Sequence, residues 1–568
     1  MDNTQTPSDV FPMVAKTFQG LEEVLAQELI LLGAKNVEIG QRMVSFEGDL
    51  EIMYKANLCC RTALRILKPI AKFTAEDPDE LYDRVRDLDW SEFLSPELTF
   101  SVDSTISGSR FTHSKYVTYR VKDGIVDYFQ DKCGKRPSVR LEGADRMLNV
   151  HIFENRVTIS LDSSGEPLSK RGYKVENTEA PINEVLAAGI IMMTGWRGDV
   201  DFMDPMCGSG TFLTEAAMIA ANINPGIYRQ GFAFEKWDDF DADLFESIYN
   251  DDSQERDVMC RITGSDKDPM AVAIANANIK NARLDNMITV ECMPMSEARP
   301  TAEEGVLVTN PPYGRRLRPG DMDSLWSRIG SDLKSNFTGW HAWIIGMTDE
   351  QFAEIGFKPS TKISLHNGAL ECSLREYVIF AGRYNDFRAG GNSVKEDNGV
   401  IAEGVTRGRH LSDREWDRET RKYGNTGGKP RKMREERDQN QRGGRGKGEG
   451  REYKKEYKKE FRKENRKESR KESGREFRDD FNRDDFNKGY RADFRKGGKR
   501  DSKKDFRKKD AKGGFSGNDG GRRYGEPRKV VDKGPKLENY TETRFGNGFG
   551  LLRSRRKGNN RDFNNEEE

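Results

Sequence analysis

Residues 204–211 read Asp-Pro-Met-Cys-Gly-Ser-Gly-Thr, and they decide the fold. Residues 199–203 before them have the pattern of a short strand, and residues 212–221 after them have a strong helix pattern. Gly208 and Gly210 allow the backbone between these elements to turn sharply and to approach a ligand closely, because neither has a side chain to occupy that space. The order strand, glycine turn, helix therefore predicts a ligand-binding turn in an α/β domain.

A cofactor without a phosphate group fits this turn better than a nucleotide does. A phosphate-binding loop would place Gly-Lys-Ser/Thr at the helix start, and a dinucleotide-binding loop would place a third glycine where Leu213 stands. S-adenosylmethionine meets the requirement, because its amino-acid end can bind loop amides while Asp204 at the strand tip accepts hydrogen bonds from its ammonium group. The alternative is a tight turn that only packs a strand against a helix.

A second loop, Asn310-Pro311-Pro312-Tyr313, follows residues 305–309, which have the pattern of a buried strand. Open parallel sheets place their sites at the carboxyl ends of such strands. Two consecutive prolines stiffen the loop and remove two amide donors, so that loop carbonyls are held outward as acceptors. The Asn310 side-chain oxygen and a loop carbonyl can then accept both hydrogens of an exocyclic amine, and Tyr313 can stack on a flipped base. The predicted catalytic residues are Asn310, Pro311, Pro312 and Tyr313; the alternative is a proline turn with a packed tyrosine.

An acidic residue completes the predicted cofactor site. Asp266 ends the next strand pattern, where an acid can accept both ribose hydroxyls of a nucleoside cofactor. Its alternative role is to cap the following helix, which Asp268 could equally cap. Cys207 could suggest covalent attack on a pyrimidine, but it lies in the cofactor loop, whereas such a thiolate must stand beside the base. The predicted cofactor-binding residues are Asp204, Met206, Cys207, Gly208, Gly210, Thr211 and Asp266.

The zero net charge of the chain is a cancellation between two parts of opposite sign. Residues 401–568 contain 52 Lys and Arg against 33 Asp and Glu, a net charge of +19, whereas residues 1–400 contain 43 and 62, a net charge of −19. Apolar residues become rare beyond residue 388, so the remaining chain cannot bury enough surface to offset its entropy and is predicted to be disordered. Basic residues interleaved with Phe, Tyr and Gly suit a tether for RNA; the alternative is a solubilising tail that also contacts the acidic body.

The spacing of cysteines and the length of apolar segments limit which other classes of protein fit this sequence. Seven cysteines without a Cys-x-x-Cys pair, together with only five histidines, predict a reduced protein without a metal. The N-terminus has no basic-then-apolar signal, and no apolar run reaches membrane-spanning length. We therefore expect a cytoplasmic protein without a membrane partner.

Three stretches outside the loops carry a family resemblance. Residues 14–161, with Arg110-Phe111-Thr112-His113-Ser114-Lys115 before a long helix pattern, resemble a ferredoxin-like segment followed by a THUMP domain, an RNA-binding module of tRNA and rRNA modification enzymes. Residues 168–174 (Leu-Ser-Lys-Arg-Gly-Tyr-Lys) and 180–188 (Ala-Pro-Ile-Asn-Glu-Val-Leu-Ala-Ala), in order with the two loops, resemble the bacterial 23S rRNA (guanine-N2)-methyltransferase family. The resemblance does not extend beyond about residue 390.

The resemblance implies an α/β fold in which a doubly wound, Rossmann-like methyltransferase domain follows an α+β region. The implied segments are 10–50 (ferredoxin-like), 51–163 (THUMP), 164–385 (methyltransferase) and 386–568 (disordered basic tail). It further implies methyl transfer from S-adenosylmethionine to the N2 amine of a guanine in 23S rRNA or a ribosomal precursor. The implied RNA-binding residues are Arg110, Lys115, Lys170 and Arg171. The oligomeric state is not specified by any of these features.

Two other functions remain open. An N6-adenine DNA methyltransferase would share both loops but should carry a DNA-reading domain in place of residues 14–161. A catalytically inert RNA-binding or assembly protein would use the basic tail as its active part. Donor turnover on rRNA against duplex DNA separates the two enzymes, and donor binding without any turnover would favour the inert protein.

Overall fold

The computed structural model describes residues 10–179, 181–312, 319–368, 370–382, 406–407, 416 and 420. All of them belong to one unit, residues 1–443. Tyr313, one of the predicted catalytic residues, lies outside the described residues, as does most of the predicted tail.

The N-terminal half is built on one mixed sheet with helices packed against one face. Its elements are β1 (Phe11–Lys16), α1 (Glu22–Leu31), β2 (Lys35–Gly40), β3 (Met43–Gly48), α2 (Leu50–Cys59), β4 (Arg65–Thr74), α3 (Pro78–Arg86), β5 (Thr99–Ser107), α4 (Ser114–Cys133), β6 (Ser138–Val139), β7 (Arg146–Phe153) and β8 (Arg156–Asp162). Alternate sheet residues such as Met13, Phe73 and Val157 share a core with Leu25 of α1 and Val121 of α4. Apolar residues at every second strand position bury one face of the sheet, as period-2 patterns predict.

The second half is a doubly wound sheet, as the sequence predicted. Its elements are α5 (Glu184–Met193), β9 (Asp201–Asp204), α6 (Thr211–Ala220), α7 (Ala242–Tyr249), β10 (Ile262–Asp266), α8 (Pro269–Asn281), β11 (Ile288–Cys292), β12 (Gly305–Thr309), α9 (Pro319–Asn336), β13 (Trp340–Gly346), α10 (Asp349–Glu354), β14 (Thr361–Asn367) and β15 (Leu370–Val378). The strand order is β11-β10-β9-β12-β13-β15-β14, in which β15 runs antiparallel to both of its neighbours. Separate cores on the two faces, one around Leu213 and one around Trp326, make the fold three-layered.

The N-terminal sheet crosses the predicted boundary between the first two segments. A further strand, β16 (Thr406–Arg407), joins its edge, and the strand order is β16-β2-β3-β1-β4-β8-β7-β5-β6. Strands from the predicted ferredoxin-like and THUMP segments are thus hydrogen-bonded within one sheet, through the pairing of β1 with β4. The boundaries of the four predicted segments stay a prediction.

An aromatic insertion of the second half packs against the first half. It spans residues 225–249, between α6 and β10, and ends in α7. The rings of Phe234 and Tyr54 stack with centroids 4.6 Å apart, and Arg146, which is 3% exposed, donates to Asp238 at 2.8 Å. Buried aromatic rings and a partly desolvated cation make this a stable contact between the two halves.

Two absences hold for the residues that the structure describes. None of their helices is both long enough and apolar enough to span a membrane. Within the same residues, no group of three or more His, Cys, Asp or Glu side chains has a metal-binding arrangement. All seven cysteines are free thiols.

Candidate functional site

The two loops singled out in the sequence lie side by side at the carboxyl edge of the second sheet. Strand β9 ends at Asp204, β12 ends at Thr309, and the two strands pair in parallel with Leu307 opposite Met203. The Thr309 hydroxyl donates a hydrogen bond of 2.8 Å to Asp204 Oδ1. The glycine loop and the Asn-Pro-Pro loop are therefore joined directly, by a threonine that the sequence analysis did not identify.

The glycine loop is held on the neighbouring strand β10 by its own amides. The Cys207 amide donates to the Ser265 carbonyl at 2.9 Å, and the Gly208 amide donates to Asp266 Oδ2 at 3.0 Å. Gly208 has a φ of +53° and Gly210 a φ of +77°, a left-handed conformation that favours glycine. The loop thus depends on both glycines and on Asp266.

The two glycines have different surroundings. Among the described residues, a Cβ at Gly208 would meet only the Thr178 hydroxyl, at 3.5 Å, so they leave this side of the loop open for a ligand. A Cβ at Gly210 would lie 3.1 Å from the Ala275 Cβ and 3.4 Å from its Cα, against helix α8. The close approach at Gly210 therefore serves packing between α6 and α8. That Gly210 also borders the cofactor stays a prediction.

Asp204 is a buried carboxyl group, only 1% exposed. Burial raises its pKa from 3.8 to about 7, hydrogen bonds from Thr309 and the Met206 amide oppose this, and the nearby Asp266 raises the pKa further. Among the described residues, no basic side chain contributes to that balance. An ammonium group would supply the missing positive charge, so the amino-acid end of S-adenosylmethionine fits this position.

Asp266 is placed as expected for a ribose-binding acid. Its Oδ2 accepts from the Gly208 amide at 3.0 Å and its Oδ1 from the Asp268 amide at 3.0 Å, which orients the half-buried carboxylate and leaves lone pairs for hydroxyl donors. Asp268, rather than Asp266, caps helix α8 by accepting from the Met270 amide at 2.9 Å. The competing capping role thus falls to Asp268.

Three other predicted cofactor residues contribute through the loop backbone. Cys207 is 6% exposed and Thr211 is 2% exposed, while Met206 is half-buried against the core around Trp326. Burial raises the pKa of the Cys207 thiol well above its ordinary value. A protonated, buried thiol does not act as a nucleophile, which agrees with the interpretation of Cys207 as a loop residue.

Asn278 of α8 fastens a preceding segment onto the glycine loop. Its Oδ1 accepts from the Val175 amide at 2.9 Å, and its Nδ2 donates to the carbonyls of Glu176 and Ser209, each at 3.0 Å. The side chain is fully buried, so these bonds are shielded from water. The sequence analysis did not identify Asn278, because an asparagine within a helix pattern gives no sign that its side chain joins two loops.

The Asn-Pro-Pro loop presents an acceptor without a donor. Asn310 Oδ1 is buried and makes no hydrogen bond with any described residue. Pro311 beside it is buried and Pro312 is half-buried. Buried side-chain oxygens are almost always hydrogen-bonded, so this atom is suited to receive a hydrogen from a bound group.

The predicted RNA-binding residues fall into two groups. Arg110, Lys115 and Lys170 are exposed, although Arg110 forms an ion pair with Glu76. Arg171 is 2% exposed.

The guanidinium of Arg171 is occupied within the protein. It donates to the Arg61 carbonyl at 2.6 Å and to the Leu168 carbonyl at 3.0 Å, and it faces Glu215 at 3.4 Å. A cation enclosed in this way has no surface for a phosphate, so the prediction that Arg171 contacts RNA is withdrawn. Its place is between the N-terminal half and helix α6.

Exposed aromatic residues accompany the basic ones on helix α4. Tyr116 is 50% exposed and Tyr119 is 47% exposed, and both follow Lys115 along the helix. The sequence analysis did not single out these tyrosines, because their positions alternate with the buried Val117 and Val121 in the helix pattern.

Comparison with known proteins gives three family matches along the chain. The RlmL ferredoxin-like domain matches residues 12–67, the THUMP domain matches residues 75–162, and the RMKL-like methyltransferase domain matches residues 171–376.

Two relatives are similar over the same part of the chain. A putative RNA methyltransferase of Synechocystis sp. is 37% identical over 372 residues, which are 65% of this chain and 97% of that relative. A ribosomal RNA large subunit methyltransferase K/L of Syntrophotalea carbinolica is 39% identical over 383 residues, which are 64% of this chain and 53% of that relative. The chain therefore spans about half the length of the K/L relatives that it matches.

Solved structures share the fold, and one of them contains the product form of the cofactor. A putative methyltransferase complexed with S-adenosylhomocysteine (SAH) is 30% identical, with a TM-score of 0.60 over 66% of this chain and 99% of that chain. A predicted N6-adenine-specific DNA methylase from Listeria monocytogenes is 29% identical, with a TM-score of 0.58 over 65% of this chain and 97% of that chain. The chain belongs to the family of S-adenosylmethionine-dependent methyltransferases that join a ferredoxin-like segment and a THUMP domain to an RMKL-like catalytic domain.

Proposed function

We propose that this protein methylates the exocyclic N2 amine of a guanine in 23S rRNA. The observation that carries the proposal is the unpartnered Asn310 Oδ1, which is buried at the end of β12 and has no donor among the described residues. An exocyclic amine would supply the donor that this oxygen lacks. The adjacent Asp204 links the same strand end to the cofactor loop through Thr309, so amine and methyl donor would be held at one edge.

The side chains at that edge have separate tasks in this proposal. S-adenosylmethionine supplies a reactive methyl group when it is bound. Asp204 would bind its ammonium, and Asp266 would bind its ribose hydroxyls. Asn310 and a loop carbonyl would accept the two amine hydrogens, which directs the nitrogen lone pair toward the donor methyl and needs no nucleophilic residue.

RNA as the substrate is supported by the N-terminal half. The THUMP match covers residues 75–162, and the exposed face there combines Lys115 with the rings of Tyr116 and Tyr119. Cations that attract phosphates and rings that stack on unpaired bases suit single-stranded or looped RNA. The K/L relatives are named for the large-subunit ribosomal RNA, which favours 23S rRNA among RNA substrates.

Methylation of adenine N6 in DNA is the second candidate. The Listeria structure carries that activity in its name, and an adenine amine would satisfy Asn310 as well as a guanine amine would. The loop geometry therefore does not separate the two bases. The THUMP match supports RNA over DNA, because it lies where a DNA-reading domain would be expected.

The test is methyl transfer by the full-length protein from labelled S-adenosylmethionine to unmodified 23S rRNA, with duplex DNA of equal nucleotide content beside it. We expect label in the rRNA alone, at one guanine whose digested nucleoside co-migrates with N2-methylguanosine. The Asn310→Ala variant serves as the inactive control. Label in adenine of the DNA would support the second candidate, and donor binding without transfer to either polymer would support an inert RNA-binding protein.

A further inference from the structure

The segment after the catalytic domain returns to the N-terminal sheet. Thr406 pairs with Glu38 and Arg407 pairs with Ile39, so that β16 lies parallel to β2 at the sheet edge. Residues 406–407 belong to the stretch predicted to be a disordered tail, and that prediction needs correction at these positions. An edge strand has a row of unpaired amides and carbonyls, and an added strand satisfies them.

A second contact lies nine residues further along, at Trp416. Its indole ring lies 5.8 Å from the Lys72 ammonium and 5.5 Å from the Arg156 guanidinium carbon. Both distances are within the range of cation–π attraction. The Trp416 side chain is half-buried, and its ring nitrogen is shielded from solvent.

Strand register places this contact on the sheet face opposite the helices. Lys72 lies opposite Thr158 and Thr74 lies opposite Arg156, so the side chains of all four residues share one face. Their neighbours Phe73 and Val157 point the other way, into the core that contains α1–α4. We name the face of Lys72, Thr74, Arg156 and Thr158 the outer face.

We propose that Thr406, Arg407 and Trp416 form an anchor for the basic tail, with Thr406 and Arg407 paired to the edge strand β2 and Trp416 docked on the outer face. Backbone pairing fixes one end of the anchor, and the ring of Trp416 between two cations fixes the other. Two different kinds of contact, on two separate parts of one sheet, specify this segment as the occupant better than either contact alone.

The anchor sets the place from which the basic tail begins. Arg156 pairs with Thr74, and two residues later Glu76 forms the ion pair with Arg110. The contacts of Trp416 with Arg156 and of Arg110 with Glu76 are therefore both at the same end of the paired strands β4 and β8. Arg110 is one of the exposed residues predicted to contact RNA. This consequence rests on the proposed RNA substrate, whereas the docking is measurable without RNA, so that the two fail separately.

The test uses the full-length chain and three variants: Trp416→Ala, the ring-preserving Trp416→Phe, and a deletion of residues 406–416 that keeps the rest of the tail. Hydrogen exchange of residues 36–40 and the acetylation rate of Lys72 report the two ends of the anchor. We expect exchange to rise at least about tenfold in the deletion, because edge amides lose their partners. Trp416→Ala should raise Lys72 acetylation several-fold and Trp416→Phe should not, with the exposed Lys135 as an unaffected internal control.

Unchanged exchange at residues 36–40 and unchanged Lys72 acetylation in the deletion variant would overturn the proposal. Protection that depends on protein concentration would also overturn it, because a second copy would then be the occupant. Protection that appears only with added RNA would overturn it in favour of a nucleic-acid surface. Melting temperatures of all variants, measured in parallel, identify a variant whose exchange rises through global unfolding.

Discussion

The proton on Asp204 gives a sharp test of the cofactor pocket. The native pKa of about 7 exceeds the ordinary value of 3.8 by about three units, mainly because the carboxyl is buried. Each unit corresponds to about 1.4 kcal/mol, so ionising this group costs the unliganded protein roughly 4 kcal/mol. The native state holds the proton more tightly than the unfolded chain, so this contribution to stability is complete below pH 3.8 and is lost as the pH rises through about 7.

The isosteric variant Asp204→Asn isolates that contribution. Denaturant unfolding between pH 4.5 and 8 should show the free energy of unfolding of the parent falling relative to the variant by about 2 to 4 kcal/mol, and the difference should level off above about pH 7. Asp268→Asn is the matched control, because its carboxyl caps α8 at the surface. Parallel pH profiles for the parent and Asp204→Asn would refute the burial argument.

Cofactor binding should offset the free-energy cost of ionising Asp204, since an ammonium group beside it favours the ionised carboxyl. Calorimetry at pH 6.5 in buffers of different ionisation enthalpy should show release of up to one proton in the parent and none in Asp204→Asn. Loss of a charge-assisted bond of about 1.5 to 3 kcal/mol should weaken donor affinity about ten- to hundredfold. Measurements stay below about pH 7.5, because the α-amino group of the donor itself titrates near 7.7 to 8.0. Proton release that persists in the variant would place the ammonium elsewhere.

Four further outcomes follow from the same geometry. Asn310→Ala should lower the transfer rate at least about a hundredfold with little change in donor or RNA affinity, since its oxygen acts on the reacting amine; a loss of affinity alone would contradict this. Tyr313→Ala should weaken capture of the flipped base and Tyr313→Phe should do so far less, as competition binding with short RNAs can measure. Arg171→Met should lower the free energy of unfolding in urea by roughly 3 to 5 kcal/mol, because Glu215 loses its ion-pair partner. The salt dependence of RNA binding should stay unchanged in Arg171→Met, whereas Lys170→Ala should make it weaker. Truncation after residue 420, which keeps the anchor, should preserve donor affinity and the saturated transfer rate. The slope of log RNA affinity against log salt concentration should become shallower by about 0.7 to 0.9 for each RNA phosphate that the tail would otherwise neutralise. An unchanged slope would make the tail a solubilising segment.

Local pattern was sufficient for the two loops and for the second sheet. Glycines at fixed positions, an acid at a strand tip and consecutive prolines each restrict the backbone within a few residues, so the sequence predicted where Asp204, Asp266 and Asn310 would stand. The order of parallel strands then brought them to one edge. These are inferences that need no knowledge of distant contacts.

The sequence failed where a residue's role depends on a distant partner. Arg171 follows a lysine and precedes a glycine, a context typical of a surface turn, yet Glu215 lies 44 residues later and encloses it. Thr309 gives no sign of its bond to Asp204, 105 residues earlier. Trp416 stands in a charged stretch that composition assigned to disorder. In each case a contact between residues that are distant in sequence determines the role. Composition and hydrophobic periodicity describe only neighbouring residues, so they cannot predict such a contact.

The aromatic insertion of residues 225–249 joins the two halves through buried contacts. Phe234 and Tyr54 stack in the interior and Arg146 donates to Asp238, so the half with the exposed tyrosines of α4 packs directly against the half with the acceptor Asn310. On the function proposed above, the two halves contact different parts of one RNA: Asn310 accepts from the guanine, and the tyrosines of α4 stack on an unpaired loop. Selection of the target would then depend on whether the folded RNA presents both at the spacing of these two sites, more than on the base sequence around the methylated guanine.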